Sequence, residues 1–202
     1  RGGLQLDAPV HVTLRLVAQA LGKDTNDLVG FVLDKPRHQK LIQEIRAVGA
    51  RIQLHTDGDV AGALMAVDQR SEVDVMMGTG GTPEGVLAAC AIKGAGGAML
   101  ARLDPQSEAE KAAIQEAGID LAQILDADTL VQGDDVFFAA TGSSGGTFLR
   151  GVPLSGQGAV THPMLLRTQT GTMRSIESHH HGNNPLPTRS TKHYKTPLTQ
   201  AT

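Results

Sequence analysis

The chain has no tryptophan, one tyrosine, four phenylalanines and one cysteine in 202 residues. So few aromatics leave no stacking platform of the kind that holds single-stranded nucleic acid. The lone Cys90 excludes an internal disulfide and suits a reducing compartment, which makes the cytoplasm the expected location. No apolar run approaches the roughly 20 residues of a membrane span. No signal-peptide pattern opens the sequence, which begins with Arg1 rather than methionine. Neither sign of charge dominates: 18 Lys and Arg against 21 Asp and Glu leave a formal charge of −3, so no general attraction to nucleic acid or anionic lipid is expected.

What the chain does have is glycine, 24 residues of it, much of it clustered after apolar runs. That placement points to tight turns and close backbone approach to a ligand rather than to a flexible linker. Residues 28–33 (Leu-Val-Gly-Phe-Val-Leu) run into Asp34-Lys35-Pro36-Arg37-His38. Residues 51–56 (Arg-Ile-Gln-Leu-His-Thr) run into Asp57-Gly58-Asp59. Residues 73–77 run into the loop 78–85, Gly-Thr-Gly-Gly-Thr-Pro-Glu-Gly.

Helical periodicity fills the spaces between these runs. Leu14, Val17, Ala18 and Leu21 share one face of a helix that Asp7 is expected to cap and Gly22 to end. Helices are also expected over 39–48, 60–67, 84–93 and 105–117, and a further strand over 97–103. Alternating strands and helices with short loops predict an α/β fold with a mostly parallel sheet flanked by helices. After Asp134 the pattern changes. A buried strand is expected over 136–140, and an antiparallel hairpin over 163–178 around Thr170-Gly171. Residues 1–178 read as one folded part. From His179 the composition turns to His, Pro, Thr, Ser and Lys, and residues 179–202, Tyr194 among them, read as a disordered tail.

In an open α/β sheet ligands bind beyond the carboxyl ends of the strands. Lys35-Pro36-Arg37 would offer two cations on a rigid turn, suited to phosphate; the plain alternative is a solvated basic loop. Asp57-Gly58-Asp59 would accept sugar hydroxyls or hold a divalent ion through oxygen, or it is a turn with a helix cap. In the loop 78–85, Thr82 and Pro83 suit a helix start whose free N–H groups attract an anion, with Glu84 favoured in the first turn and able to bind a metal. The loop lacks the Gly-Lys-Ser/Thr ending of a P-loop. Cys90, between Ala89 and Ala91, reads as buried packing, and His179-His180-His181 as tail rather than metal site.

These segments, with Ala139-Ala140-Thr141-Gly142 and the run from Thr172 to His179, occur together in an order that resembles the bacterial class II fructose-1,6-bisphosphatases, including the cyanobacterial enzymes that also take sedoheptulose 1,7-bisphosphate. The resemblance covers residues 4–180. It implies a layered sugar-phosphatase α/β sandwich and manganese- or magnesium-dependent removal of the 1-phosphate of fructose 1,6-bisphosphate, in gluconeogenesis, glycerol metabolism or the Calvin cycle. It implies that Lys35, Pro36 and Arg37 contact the substrate at its distal phosphate, that Asp57, Gly58 and Asp59 hold sugar hydroxyls, that Gly81 lies against the substrate, and that Glu84 is a metal ligand. It also implies a homo-oligomer in the complete enzyme.

Two departures stand out. The family's acidic metal-binding motifs of the Gly-Glu-Gly-Glu and Asp-Pro-x-Glu-Gly-Thr types are absent, so the chain resembles the C-terminal portion of such an enzyme. The family's Thr-Gly-Ile-Thr-like segment reads Thr141-Gly142-Ser143-Ser144-Gly145-Gly146 here, and the region around 97–104 is shortened. Hard divalent ions need about six oxygen ligands, so little hydrolysis is expected from this chain alone. Two rival readings are a non-catalytic sugar-phosphate-binding or regulatory module and a generic nucleotide-binding α/β domain.

Overall fold

The computed structural model describes residues 3–146, 148–155 and 158–181. Its centre is β1 (Val29–Leu33), buried along its whole length. A run of Val, Gly, Phe, Val and Leu has no polar face to turn to water, so it is stable only with cover on both sides. β2 (Arg51–His55) and β3 (Val75–Met76) flank it, both parallel to it, in the order β2-β1-β3. On one side lie α1 (Val10–Leu21) and α2 (Gln39–Ala47), and Leu14, Ala18, Leu28, Val32, Ile42 and Ile45 form the core there. On the other side Val29, Phe31 and Leu33 meet Met65 of α3 (Asp59–Val67). The odd residues of β1 face α3 and Val32 faces α1 and α2, as strand alternation requires.

A second layering follows. α3 packs on α4 (Thr82–Ala95), and the far side of α4 covers an antiparallel sheet of order β4-β7-β8. These strands are β4 (Phe137–Ala140), β7 (Met164–Arg167) and β8 (Thr172–Ser175). Ala91 of α4 joins Leu64, Phe138, Met164 and Leu166 in one buried cluster. The small residues of α4 allow the approach: a Cβ at Gly94 would stand 3.2 Å from Leu166 Cβ. The result is a layered mixed α/β sandwich of helices, parallel sheet, helices and antiparallel sheet. A third sheet has the order β5-β6-β9 and consists of β5 (Leu154–Ser155), β6 (Gly158–Thr161) and β9 (Ser178–His181). α5 (Glu108–Glu116) has no buried residue and is capped by Ser107 Oγ accepting from Glu110 N–H at 3.2 Å, and the single-turn α6 (Ala127–Leu130) packs on α4.

The hairpin around Gly171 forms as expected, and so do the expected helices, within a few residues at their ends. Five details differ. Asp7 does not cap α1; Pro9 occupies the cap position and Asp7 pairs with Arg102 at 2.7 Å. The strand expected over 97–103 is only an isolated bridge between Ala101 and Leu125, because no neighbouring strand lies alongside to extend the pairing. β4 is not buried throughout: Phe138 faces α4, while Phe137 is 65 % exposed and carries the Arg167 guanidinium 4.7 Å above its ring. Cys90 is half-buried, between two core clusters. Finally, His179, His180 and His181 are not tail but strand, pairing with β6 in register, so the folded part continues past residue 178. The remainder of the expected tail, from residue 182, lies outside the described residues. No helix among the described residues is long and apolar enough to cross a membrane.

Candidate functional site

All three motifs emerge at the carboxyl end of the parallel sheet. Lys35-Pro36-Arg37 follows β1 directly, with Pro36 opening a 3-10 turn that leads into α2. Proline fixes that first turn and needs no N–H partner there. Asp57 and Gly58 follow β2, and Asp59 is the first residue of α3. Gly58 has φ of +100°, a conformation that a side chain would resist, so it lets β2 turn straight into the helix. The glycine loop follows β3, with Gly81 at the N-cap of α4 and Glu84 in its first turn.

The loop is tied to the cationic turn by two adjacent residues. Arg37 donates from Nε and Nη2 to the carbonyl of Thr79, at 3.0 and 2.7 Å. The backbone N–H of Thr79 donates to His38 Nε2 at 2.8 Å, and His38 Nδ1 lies 2.8 Å from the carbonyl of Leu33. Beyond Thr79 the loop lies against the acids: a Cβ at Gly80 would stand 3.0 Å from Asp59 Oδ1, and one at Gly81 would collide with Glu84 Oε2. Thr79 Oγ1 also donates to Asp104 at 3.4 Å. The Lys35 ammonium has no hydrogen-bond or ion-pair partner among the described residues and is available to an anion.

Asp59 records how closely these groups meet. Burial raises its pKa, and the Glu84 carboxylate raises it further, while Arg37 and Lys35 pull it down. Two carboxylates and two cations therefore share one field. A raised carboxyl pKa has a definite sign in stability. Asp59 favours the fold most when protonated, below its unfolded value of about 3.9, and that contribution is lost as pH rises through its folded pKa. Replacing Glu84→Gln removes the repulsion, so the Asp59 carboxyl carbon should titrate at lower pH in that variant. An unchanged titration curve by carbon-13 NMR would show that the two acids do not interact.

Glu84 and Asp59 could each give oxygen to a divalent ion, but no group of three or more His, Cys, Asp or Glu able to hold a metal occurs among the described residues. Two carboxylates fall short of the about six oxygen ligands that a hard divalent ion takes. Val86 and Leu87, just after Glu84 on α4, are exposed at 38 % and 50 %. The candidate residues Lys35, Pro36, Arg37, Asp57, Gly58, Asp59, Gly81 and Glu84 thus all lie at one end of the sheet. The contacts at Thr79, Gly80 and Gly81, with the charges felt by Asp59, join Lys35, Arg37, Asp59, Gly81 and Glu84, whereas Asp57 is exposed and, among the described residues, stands apart from the others. The roles of Thr79 and Asp104 had no signal in the sequence, and that of His38 had only its place beside Arg37. The loop 141–146 instead hydrogen-bonds to its own return, Gly146 N–H to Leu149 O at 3.0 Å and Val152 N–H to Ser143 O at 3.1 Å.

The sequence matches the family described as bacterial fructose-1,6-bisphosphatase, glpX-encoded, over residues 1–180. It is 38 % identical over 194 residues to the fructose-1,6-bisphosphatase class 2 of Haemophilus influenzae, covering 90 % of this chain and 58 % of that one. It is 37 % identical over 194 residues to fructose-1,6-bisphosphatase 1 class 2 of Escherichia coli, with the same coverage. It is 35 % identical over 193 residues to a D-fructose 1,6-bisphosphatase class 2/sedoheptulose 1,7-bisphosphatase of a Synechococcus species, covering 89 % of this chain and 56 % of that one. The chain therefore spans a little over half the length of these curated relatives. On the match over 180 of its 202 residues, the chain belongs to the bacterial class II fructose-1,6-bisphosphatase family.

Proposed function

We propose that this chain is the substrate-binding portion of a phosphatase that removes the 1-phosphate of fructose 1,6-bisphosphate. The observation that carries the reading is the convergence of Lys35, Arg37, Asp59 and Glu84 at the carboxyl end of β1, β2 and β3. Lys35 and the unused edge of the Arg37 guanidinium would hold the distal phosphate, a fork and a point charge on the same anion. Asp57 and Asp59 would accept the sugar hydroxyls, and Gly81, lacking a side chain, would let the sugar approach the backbone. Glu84 would be one ligand of a manganese or magnesium ion. When bound, such an ion supplies charge stabilisation at the phosphoryl oxygens. Hard divalent ions take about six oxygen ligands and Glu84 would give only part of them, so little hydrolysis is expected from this chain alone.

The residues of this chain would contribute binding and orientation away from the bond that breaks. Phosphate release from fructose 1,6-bisphosphate with manganese, measured on the complete natural polypeptide, tests the reading. Lys35→Ala should raise KM about tenfold with kcat little changed, because an exposed point charge aids ground and transition states alike. No phosphate release from the complete polypeptide, with sugar-phosphate binding retained, would favour a binding module instead. Comparing fructose with sedoheptulose bisphosphate in the same assay decides between the two substrates named for the relatives.

A further inference from the structure

His38 is the one buried polar or charged side chain among the described residues, 4 % exposed. Both ring nitrogens are occupied. A backbone N–H can only donate, so Nε2 must accept from Thr79 and the ring proton must sit on Nδ1, facing the carbonyl of Leu33. His38 therefore bridges the last residue of β1 and the first turn of the glycine loop. The loop is shaped to receive it. Gly78 has φ of +150°, and a Cβ there would stand 3.1 Å from His38 Cε1, so only glycine lets the chain lie along the ring. The neighbouring Arg37 holds the other end of the Thr79 residue by its carbonyl. Thr79 is thus gripped at N–H and at C=O by consecutive residues 41 and 42 positions away in the chain. The next residues, Gly80 and Gly81, are those that lie against Asp59 and Glu84.

We infer that His38 is a positioning residue. Through the N–H of Thr79 it fixes the glycine loop, and with it Gly81 and Glu84, relative to Asp59 and the cationic turn. Its effect on turnover rests on the sugar-bisphosphatase reading above, whereas its hold on the loop does not. Lys35 and Arg37 are carried by the turn after β1, so substrate affinity should survive its loss better than turnover does.

Three substitutions separate the two hydrogen bonds. His38→Phe keeps the ring and removes both. His38→Gln places an amide oxygen near the position of Nε2 and restores the acceptor for Thr79. His38→Asn places its amide near Nδ1 and restores only the bond to Leu33. In the complete polypeptide His38→Phe should lower kcat about tenfold with KM changed by less than about threefold; His38→Gln should recover most of the loss, and His38→Asn should not. Hydrogen exchange of the Thr79 amide in the 202-residue chain gives a readout independent of activity. It should be slow in wild type and His38→Gln, and at least about tenfold faster in His38→Phe and His38→Asn. Recovery by His38→Asn rather than His38→Gln, equal loss in all three variants, or unchanged Thr79 exchange in His38→Phe would each overturn the inference. If wild type releases no phosphate from fructose 1,6-bisphosphate, the functional reading fails while the exchange pattern still decides the hold on the loop.

Discussion

Arg37→Ala is expected to lower kcat/KM for fructose 1,6-bisphosphate by roughly 100-fold or more, the largest loss from any single side chain of the cationic turn. Two consequences combine. On the proposed function the substrate phosphate would lose a guanidinium partner, and hydrogen bonds to charged groups contribute about 1.5–3 kcal/mol each. The carbonyl of Thr79 also loses two donors, at 3.0 and 2.7 Å, so the loop that carries Gly81 and leads to Glu84 is freed at one end. A total near 3 kcal/mol corresponds to about two powers of ten in rate.

Arg37→Lys separates these contributions. Lysine restores the charge but cannot donate in a fork to Thr79 while facing an anion, so it should recover less than about tenfold. Steady-state kinetics on the complete polypeptide would read both variants. Full recovery by lysine would mean that only charge matters and that the contact with Thr79 is incidental. Removing Arg37 also removes a positive charge that lowers the Asp59 pKa, so Asp59 should titrate higher in Arg37→Ala. The pH profile of the variant should shift in that direction.

Phe31→Ala is expected to cost about 3–5 kcal/mol of folding stability, the range for emptying a buried aromatic site. Phe31 is 1 % exposed on the central strand, stacked on His55 with ring centres 4.4 Å apart, and packed beside Met65. A domain of ordinary stability has about 5–15 kcal/mol in total, so the loss should be evident as a fall in Tm of about 10 °C or more. The reason for the tight fit is Gly62 on α3. A Cβ at Gly62 would overlap the edge of the Phe31 ring, and α3 therefore sits closer to the sheet than any other residue there would allow.

Gly62→Ala should accordingly destabilise by about 1–3 kcal/mol through overpacking. Combining it with Phe31→Leu, which clears the ring edge, should be less damaging than the sum of the single changes by about 1 kcal/mol. Thermal unfolding followed by far-UV circular dichroism suits this test, since the chain has no tryptophan to report. Strict additivity would show that α3 is not seated on Phe31. The contact also bears on function, because the helix that Phe31 and Gly62 seat is the one whose first residue is Asp59.

The sequence by itself determined the strand-end motifs and that their strands run parallel, though not their order in the sheet. A buried strand of Val, Gly, Phe, Val and Leu, a proline just past its end, and a Gly-Asp helix start are each decided within a few residues by sterics and burial, so β1, the 3-10 turn and α3 fall where the pattern puts them. The same holds for the Thr170-Gly171 turn, where Gly171 has φ of +57°. The ordered run of motifs was also enough to reach the family.

Tertiary structure decided what depends on groups far apart in the chain. A polar histidine beside an arginine reads as one more solvated residue of a basic turn. Only the arrival of Thr79 and Gly78 at its ring makes it buried and bridging. Asp104 reaches the site through a stretch that has no regular structure, and local pattern says nothing of where such a stretch leads. The segment 97–103 has strand-like composition yet stays a single bridge, because strand formation needs a partner edge and none runs beside it. Conversely, His179-His180-His181 has a tail-like composition and forms a strand, because the edge of β6 offers hydrogen bonds that the local sequence does not reveal. Strand pairing and buried polar contacts are both long-range exchanges of hydrogen bonds, and a partner 20 or 40 residues away leaves no periodic trace in the sequence that it completes.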